Sequence, residues 1–564
     1  MPQSILSDER LRALLKVPLT EAQMDDLLFV SKAEVDGREG DALTISVTPD
    51  RLDLLSEAGL AFALEGGMDA AHGLPRVARG PSATTAPGFE VDPSVAPLRP
   101  FLQGVIVRAP EGAALDAGTL AEAIRFQELL HATIGRDRRA ASLGIYPWDR
   151  LSPPIRYALE PLGSVRFVPL DSTEEIPAEE FFRTHPLAAR YGAFGRSDDR
   201  CLVLRDRAGT ILSLPPVLNS RTGGEARAGD RELLLEATGT RERSVREVLG
   251  LLLVVFAGQG WSVTPIEVVG PGDRRDDGTA TVAPHAIDLP STLVHGVTGE
   301  PLSAAEIERR LGRARLYGRP HPGGWRIEAP PWRPDLLTPI DVVEDLYLAA
   351  PIRPENGRIP PSTSRGHRRA ETIFRRRCAT ELLGLGFAAP YTSLLVSEAT
   401  AGRVQGSAAT RIQNPVSMEF AYLRDRLLLS HLDVLARNTR HAYPQRFAEV
   451  GPVIVRNPSA EAGAETRYHA GLLIAADTAS FSDAAAVVDY LLRGRDVSAV
   501  REPTELPATI PGRAARARVA GEAVAEMGEI HPRVLSELGV PVPAVWAEID
   551  LTALWPMVAR HDLP

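Results

Sequence analysis

At 564 residues the chain exceeds what one hydrophobic core sustains, and at roughly 100–200 residues per domain it divides into three or four. Its 44% hydrophobic and 24% charged residues, with no transmembrane run or secretory apolar segment, are an ordinary globular composition rather than that of a membrane-spanning chain. A formal charge of −10 excludes sequence-independent coating of nucleic acid, so any RNA contact is local. The two cysteines, Cys201 and Cys378, lack metal-ligand spacing and point to a reducing cytoplasm rather than a disulfide framework or a zinc site.

From Ser7 to Asp69 the pattern alternates helix and strand. It predicts an apolar-periodic helix from Leu11, a second from Thr20, a strand around Ala42–Val47 and an amphipathic helix opening at Ser56-Glu57 and carrying Leu60, Ala61 and Leu64. A linker rich in Gly, Pro, Ser and Ala runs from His72 to about Pro93 and sets a first α/β domain at 1–90. The stretch 91–270 holds a helix containing Q-E-L-L-H and then the runs S-L-G-I-Y, R-F-V-P-L, L-V-L-R-D and I-L-S-L-P-P-V-L-N-S. These predict a mostly antiparallel sheet with helices against it.

A second break, Gly270–Gly278, opens a small helix–strand domain at 271–360, with a helix capped at Ser303 and a short strand around Trp325–Glu328. The Pro-rich run Ile352–Ser364 closes it. The rest, 361–564, begins with the basic helix H-R-R-A-E-T-I-F-R-R-R-C and continues through alternating strands. The expected class is α+β, multidomain.

Three segments carry candidate chemistry. In L-S-L-P-P-V-L-N-S-R-T, Pro215-Pro216 predicts an extended chain ending at polar Asn219 and Ser220, and L-L-L-E-A-T-G-T brings Glu236 as a carboxylate for the same pocket. On the residues alone, a proline-stiffened structural turn is the preferred reading. In W-R-P-D-L-L-T-P-I-D-V-V-E-D, Thr338-Pro339 starts a helix that carries Asp341, Glu344 and Asp345 at i, i+3 and i+4, with Asp335 ahead of it. Spacing leaves two readings level: a capping box with Asp341 at its third position, or oxygen ligands for a hard divalent cation. No Ser-His-Asp set or G-x-S-x-G elbow accompanies the pocket segments, and the last part shows no G-x-G-x-x-R setting for an ATP-binding arginine, which Arg424 alone does not supply.

Taken in order, these segments resemble the phenylalanyl-tRNA synthetase β-subunit family, archaeal/eukaryotic type. The acidic segment matches R-x-D-x5-D-x2-E-E/D position for position, which implies a Mg²⁺ site at Asp335, Asp341, Glu344 and Asp345 near the junction with the α subunit. T-P-D-R-L-D-L-L-S-E-A-G is similar to N-P-N-R-x-D-L-L-S-x-x-G, with Asp50 where Asn is usual. The segment around Asn219 and the one ending L-E-A-T-G-T resemble the S-x-P-P-x-x-N-S and D-V-T-G-T motifs of an editing domain that hydrolyses tyrosine misattached to tRNA(Phe). The resemblance makes Leu204, Ser213, Asn219 and Glu236 pocket residues, with Ser213 and Asn219 serving water positioning and hydrolysis and Glu236 standing in place of Asp. His131 and Arg136, Arg138 and Arg139 fall in two further signatures of that domain, as a base or helix-surface cap and as phosphate contacts or helix-end charges.

N-P-V-S-M-E-F-A-Y-L-R-D-R-L-L, F-A-E-V-G (for the usual F-E-x-G), M-G-E-I-H-P and A-E-I-D-L resemble a class II synthetase-like antiparallel module that is non-catalytic. The resemblance implies an editing domain at 91–270, a winged-helix-like domain at 271–360 and that module at 361–564. It implies an α2β2 heterotetramer in the cytoplasm, with ATP and Mg²⁺ used in α and tRNA(Phe) bound. The alternatives are a stand-alone hydrolase of mischarged tRNA and a tRNA- or partner-binding scaffold.

Overall fold

The computed structural model describes residues 2–74, 88–299, 301–350, 359, 364–404 and 407–558. Most of the expected linker His72–Pro93 and of the Pro-rich run Ile352–Ser364 lies outside the described residues. The chain forms a mixed α/β, multidomain structure with two units, Met1–Arg358 and Ile359–Pro564.

The first unit begins with a three-stranded antiparallel sheet, order Gln3–Ser7, Ala42–Val47, Ala33–Glu39. Thr20 closes a capping box with Gln23 at the start of helix Glu21–Val30, where the sequence places it. Ser56 caps helix Glu57–Gly67 by accepting from Gly59 N–H at 3.1 Å, and Leu60, Ala61 and Leu64 are buried as the periodicity predicts. A side chain at Gly59 would overlap the Asp53 carbonyl, so the turn Leu52–Leu55 packs onto the helix start only because that position is glycine. Carboxylates then tie this layer to helix Ala117–Ala132. Glu122 accepts from Ala58 N–H at 2.7 Å and from Arg10 at 2.8 Å, and buried Glu57 pairs with Arg125.

The middle of the unit holds two sheets. A four-stranded antiparallel sheet runs Ser262–Pro265, Phe101–Arg108, Glu232–Gly239, Ala141–Pro147, and helices Ala117–Ala132 and Glu242–Ala257 pack with one of its faces. The other face meets a second, eight-stranded sheet around Phe89, Ile106, Tyr157, Leu204 and Leu234. That second sheet is mostly antiparallel, as expected, except that strand Phe89–Val91 pairs parallel with both Ile155–Pro161 and Val268–Val269. Parallel neighbours follow from the chain returning to Val268 after a long excursion through the other sheet rather than by a hairpin.

A three-stranded antiparallel sheet, order His285–Pro290, Gly324–Ala329, Tyr317–His321, with helices Ser291–Thr298, Ala304–Arg313 and Pro339–Leu348, completes the unit. Ser303 caps Ala304–Arg313 as expected.

The second unit is built on a six-stranded antiparallel sheet, order Gln445–Arg456, Ala464–Ala475, Ala544–Asp550, Glu522–Ile530, Thr509–Val519, Val500–Pro503. Along Ala464–Ala475 the side chains alternate: Leu472 and Ile474 pack with helices Ala370–Gly384 and Phe481–Arg493, and Leu473 and Ala475 pack with helix Leu427–Arg437. Both faces are therefore covered. Among the described residues no helix is long and apolar enough to cross a membrane.

Candidate functional site

The period of two along Glu232–Gly239 decides where Glu236 points. Leu233, Leu235 and Ala237 face the helices, so Leu234 and Glu236 face the second sheet. Glu236 is paired across the strands with Gly104 on one side and Gly144 on the other. A Cβ at Gly144 would overlap the Tyr146 phenol, and one at Gly104 would overlap the Phe89 ring. Gly144 thus leaves room for Tyr146 to lean across and donate to Glu236 Oε2 at 3.0 Å, with its oxygen also 3.0 Å from Ser213 Oγ, and Gly104 leaves room for Phe89. Glu236 Oε1 is buried without a hydrogen-bond partner. Burial pushes this carboxyl up to about 7, against the pull of the Tyr146 hydrogen bond and the Arg99 charge. Arg99 is itself fully buried and donates to Thr238, Ser142 and the Arg138 and Arg139 carbonyls.

Glu236, Tyr146, Ser213 and Asn219 line one cleft of about 300 Å³, roofed by the Pro215-Pro216 turn and walled by Leu120, Ile124 and Ile145. The prolines form the stiffened turn that the residues alone favour rather than an extended run. They sit in a hairpin turn between strands Ile211–Leu214 and Leu218–Asn219, closed by Val217 N–H donating to the Leu214 carbonyl at 2.8 Å. Arg138, which also lines the cleft, holds that turn through the Pro216 and Val217 carbonyls at 3.1 and 2.9 Å and pairs with Glu128. Asn219 is half-buried and anchored by its amide to the Gly224 carbonyl at 3.3 Å.

One sequence expectation changes here, and two that were left open are narrowed. Leu204 is fully buried opposite Ser213 in strand register and belongs to the core behind the cleft rather than to its lining. His131 is no free base: its Nε2 accepts from Leu143 N–H at 2.8 Å and its Nδ1 lies 3.2 Å from Glu128. Of the three arginines, Arg138 is spent on the turn, leaving Arg136 and Arg139 exposed. Tyr146 and Arg99 were missed. The signal that could have found Tyr146 is the glycine two residues before it inside a strand, where glycine otherwise weakens pairing.

The acidic segment separates instead of converging. Arg333, 3% exposed, is clamped between Asp335 (2.7 Å) and Asp345 (2.8 Å). Asp341 completes the capping box, its Oδ2 accepting from Thr338 N–H at 2.6 Å and Leu337 N–H at 2.9 Å. Glu344 pairs with Lys32 at 2.8 Å, which also holds Asp50 at 2.7 Å. Among the described residues no three His, Cys, Asp or Glu side chains gather as a metal-ligating group. The four carboxylates therefore do not fit the magnesium site that the resemblance assigns them. A buried arginine already supplies the positive charge that Asp335 and Asp345 need.

In the second unit Arg424 is fully buried. Its guanidinium donates to Glu449 (3.0 Å), Ser430 (2.9 Å), Thr392 and the Pro452 carbonyl (3.0 Å), which commits four of its five N–H donors inside the module. Glu548 accepts from Leu427 and Leu428 N–H at the start of helix Leu427–Arg437 and from His469 at 2.6 Å. Burial opposes charge on His469, yet Asp550 and Glu548 raise its pKa to about 9. Arg467 shares Asp550 at 2.6 Å. Because the folded pKa exceeds the unfolded 6.5, this ion pair contributes its full stability below about pH 6.5 and loses it as pH rises through about 9. Urea melts of the native chain should show the Ile359–Pro564 unit weakening over that window, and His469→Gln should flatten the slope.

The segment 287–349 matches the family model for the tRNA synthetase B5 domain, and 358–551 matches that for the phenylalanyl tRNA synthetase beta chain CLM domain. The phenylalanine–tRNA ligase beta subunit of Natronomonas pharaonis is 31% identical, over 98% of this chain and 100% of that one. That of Methanopyrus kandleri is 33% identical, over 90% of each. The crystal structure of an N-terminal fragment of the phenylalanyl-tRNA synthetase beta subunit from Pyrococcus horikoshii is similar at TM-score 0.57 and 25% identity, covering 62% of this chain and 99% of that fragment.

Proposed function

Since the chain belongs to the phenylalanine–tRNA ligase β-subunit family of aminoacyl-tRNA synthetase subunits, we propose that its 300 Å³ cleft is an editing site that hydrolyses tyrosine wrongly attached to tRNA(Phe). The observation that carries the reading is the buried Glu236 carboxylate with one oxygen unpartnered. A substrate phenol donating to it gains a charge-assisted hydrogen bond, and phenylalanine leaves the group unpaired, which is the asymmetry that lets a polar pocket separate the two amino acids. Water held by Asn219 and Ser213 adds to the ester carbonyl carbon. The bond to the ribose oxygen breaks, that oxygen takes a proton, and tyrosine leaves. Exposed Arg136 and Arg139 near the cleft suit the tRNA backbone.

Attachment of phenylalanine, with ATP and Mg²⁺, is assigned to a partner α subunit in an α2β2 assembly in the cytoplasm. The class II-like module of this chain serves that assembly: Arg424 is committed internally, and Tyr391, Val416, Met418 and Phe420 present exposed apolar side chains suited to a subunit interface. The domains are assigned as 1–90, 91–270 for editing, 271–360 as a winged-helix-like unit and 361–564 as the module.

Asn219→Ala tests the separation of the two activities. Deacylation of Tyr-tRNA(Phe) by the complex with the α subunit should fall to background, while phenylalanine charging stays within about twofold of native. Equal loss of both rates would place Asn219 outside a dedicated editing site. Hydrolysis by the chain without any partner would favour the stand-alone enzyme.

A further inference from the structure

A second cavity in the Met1–Arg358 unit, about 520 Å³, lies apart from the editing cleft, between helices Glu21–Val30 and Glu57–Gly67 and the turn that follows helix Ala304–Arg313. Four arginines border it, and three have hydrogen bonds or ion pairs. Arg51 is held by Asp53 at 2.8 Å, Arg333 by Asp335 and Asp345, and Arg313 donates to the Gly67 and Ala349 carbonyls at 2.7 and 3.0 Å. Arg315 differs. It is 7% exposed, and among the described residues its guanidinium has neither a hydrogen bond nor an ion pair, with Nε buried and unpartnered. Burial pulls its pKa below the usual arginine value, with the Glu65 charge acting against that.

The side chain is nevertheless positioned. Its stem crosses Gly66, where a Cβ would overlap it, and its guanidinium lies 4.0 Å over the Phe62 ring. Its backbone sits at φ +60°, a left-handed conformation that costs a residue with a Cβ. A buried guanidinium without a partner is unfavourable unless something negative meets it. Leu27, Val30, Phe62 and Leu348 line the same space, beside Asp26 and the Asp53 and Asp345 carboxylates that Arg51 and Arg333 neutralise, and the volume is in the range of organic ligands.

We propose that this cavity binds a small organic anion, a carboxylate or phosphate on an apolar body, with the Arg315 guanidinium forked onto the anionic oxygens and the body against the apolar walls. The fork geometry suits both oxyanions. The site is independent of the editing reading.

Calorimetric titration of the purified full chain with phenyl phosphate, benzoate and inorganic phosphate tests it. At least one of the two aromatic probes should bind, and about tenfold more tightly than inorganic phosphate, because only the aromatic probes fill the apolar walls. The preferred probe of the two identifies the head group. Arg315→Met keeps the stem and removes the charge, and should weaken that binding about tenfold or more without lowering the unfolding midpoint. Arg315→Lys, a point charge without the fork, should fall between the two and serves in place of the methionine variant should that one not fold. Absence of binding by both aromatic probes, equal affinity in the Arg315 variants, or inorganic phosphate binding as tightly as the preferred aromatic probe would each overturn the proposal.

Discussion

Glu236→Gln should slow hydrolysis of Tyr-tRNA(Phe) by about 10- to 100-fold, the range expected when a charge-assisted hydrogen bond in a buried site becomes a neutral one. Glutamine keeps the length and shape of the side chain between Gly104 and Gly144, so the strands around it are undisturbed. The carboxyl has been pushed up to about 7, so the native enzyme should lose editing rate as pH falls below 7 and the better acceptor is protonated, a dependence the glutamine variant lacks. Stability moves the other way. A carboxyl whose folded pKa lies above its unfolded 4.5 costs nothing below about 4.5 and destabilises increasingly until its full cost is reached above about 7. Native protein should therefore lose stability across that interval through this residue, whereas the glutamine variant should not. Rates of Tyr-tRNA(Phe) deacylation at pH 6 to 8.5, beside phenylalanine charging by the complex, decide the matter. An unchanged deacylation rate in the variant would remove Glu236 from substrate recognition.

The largest loss of stability is expected from Arg333→Ala, about 3–5 kcal/mol, because it takes from the buried Asp335 and Asp345 carboxylates the guanidinium that pairs with both, leaving them only the charge of Arg51, itself bound to Asp53. Trp332, buried against Phe62 at 5.5 Å between ring centroids, adjoins Arg333 and reports the unfolding of this region by its fluorescence. Combining Arg333→Met with Asp335→Asn and Asp345→Asn should recover most of that loss, since the cost lies in the uncompensated charge rather than in the pair itself. Magnesium at millimolar concentration should leave the urea midpoint of the native chain where it was, because the arginine occupies the electrostatic role of a cation. A magnesium-dependent rise in midpoint would return the four carboxylates to metal binding.

These two sites show how far the chain is legible without its fold. The caps at Thr20, Ser56, Ser303 and Thr338 are local events, set by a side chain and a backbone N–H two or three residues away, and each helix start follows from its neighbourhood in sequence. Alternation along Leu233–Thr238 likewise settles that Glu236 and Leu234 share a face. The motifs, in their order, indicate the family through residues whose spacing is preserved. The carboxylate at 236 and the amide at 219 are visible as polar exceptions in apolar runs.

What meets Glu236 is decided elsewhere. Tyr146 is separated from it by 90 positions, and only the pairing of Ala141–Pro147 with Glu232–Gly239, with glycine at 144, brings phenol and carboxylate to 3.0 Å. The acidic segment makes the same point in the opposite sense. Spacing brings Asp341, Glu344 and Asp345 near one another along a helix, yet the turn that carries Arg333 and Asp335 folds under the helix and draws Asp345 inward, while Lys32, 312 positions away, takes Glu344 outward. By itself the sequence determined the elements, their faces and the family, because propensity, capping and periodicity act over a few residues. The tertiary structure alone decided which charges neutralise one another, because that depends on distances between segments whose approach no local rule specifies.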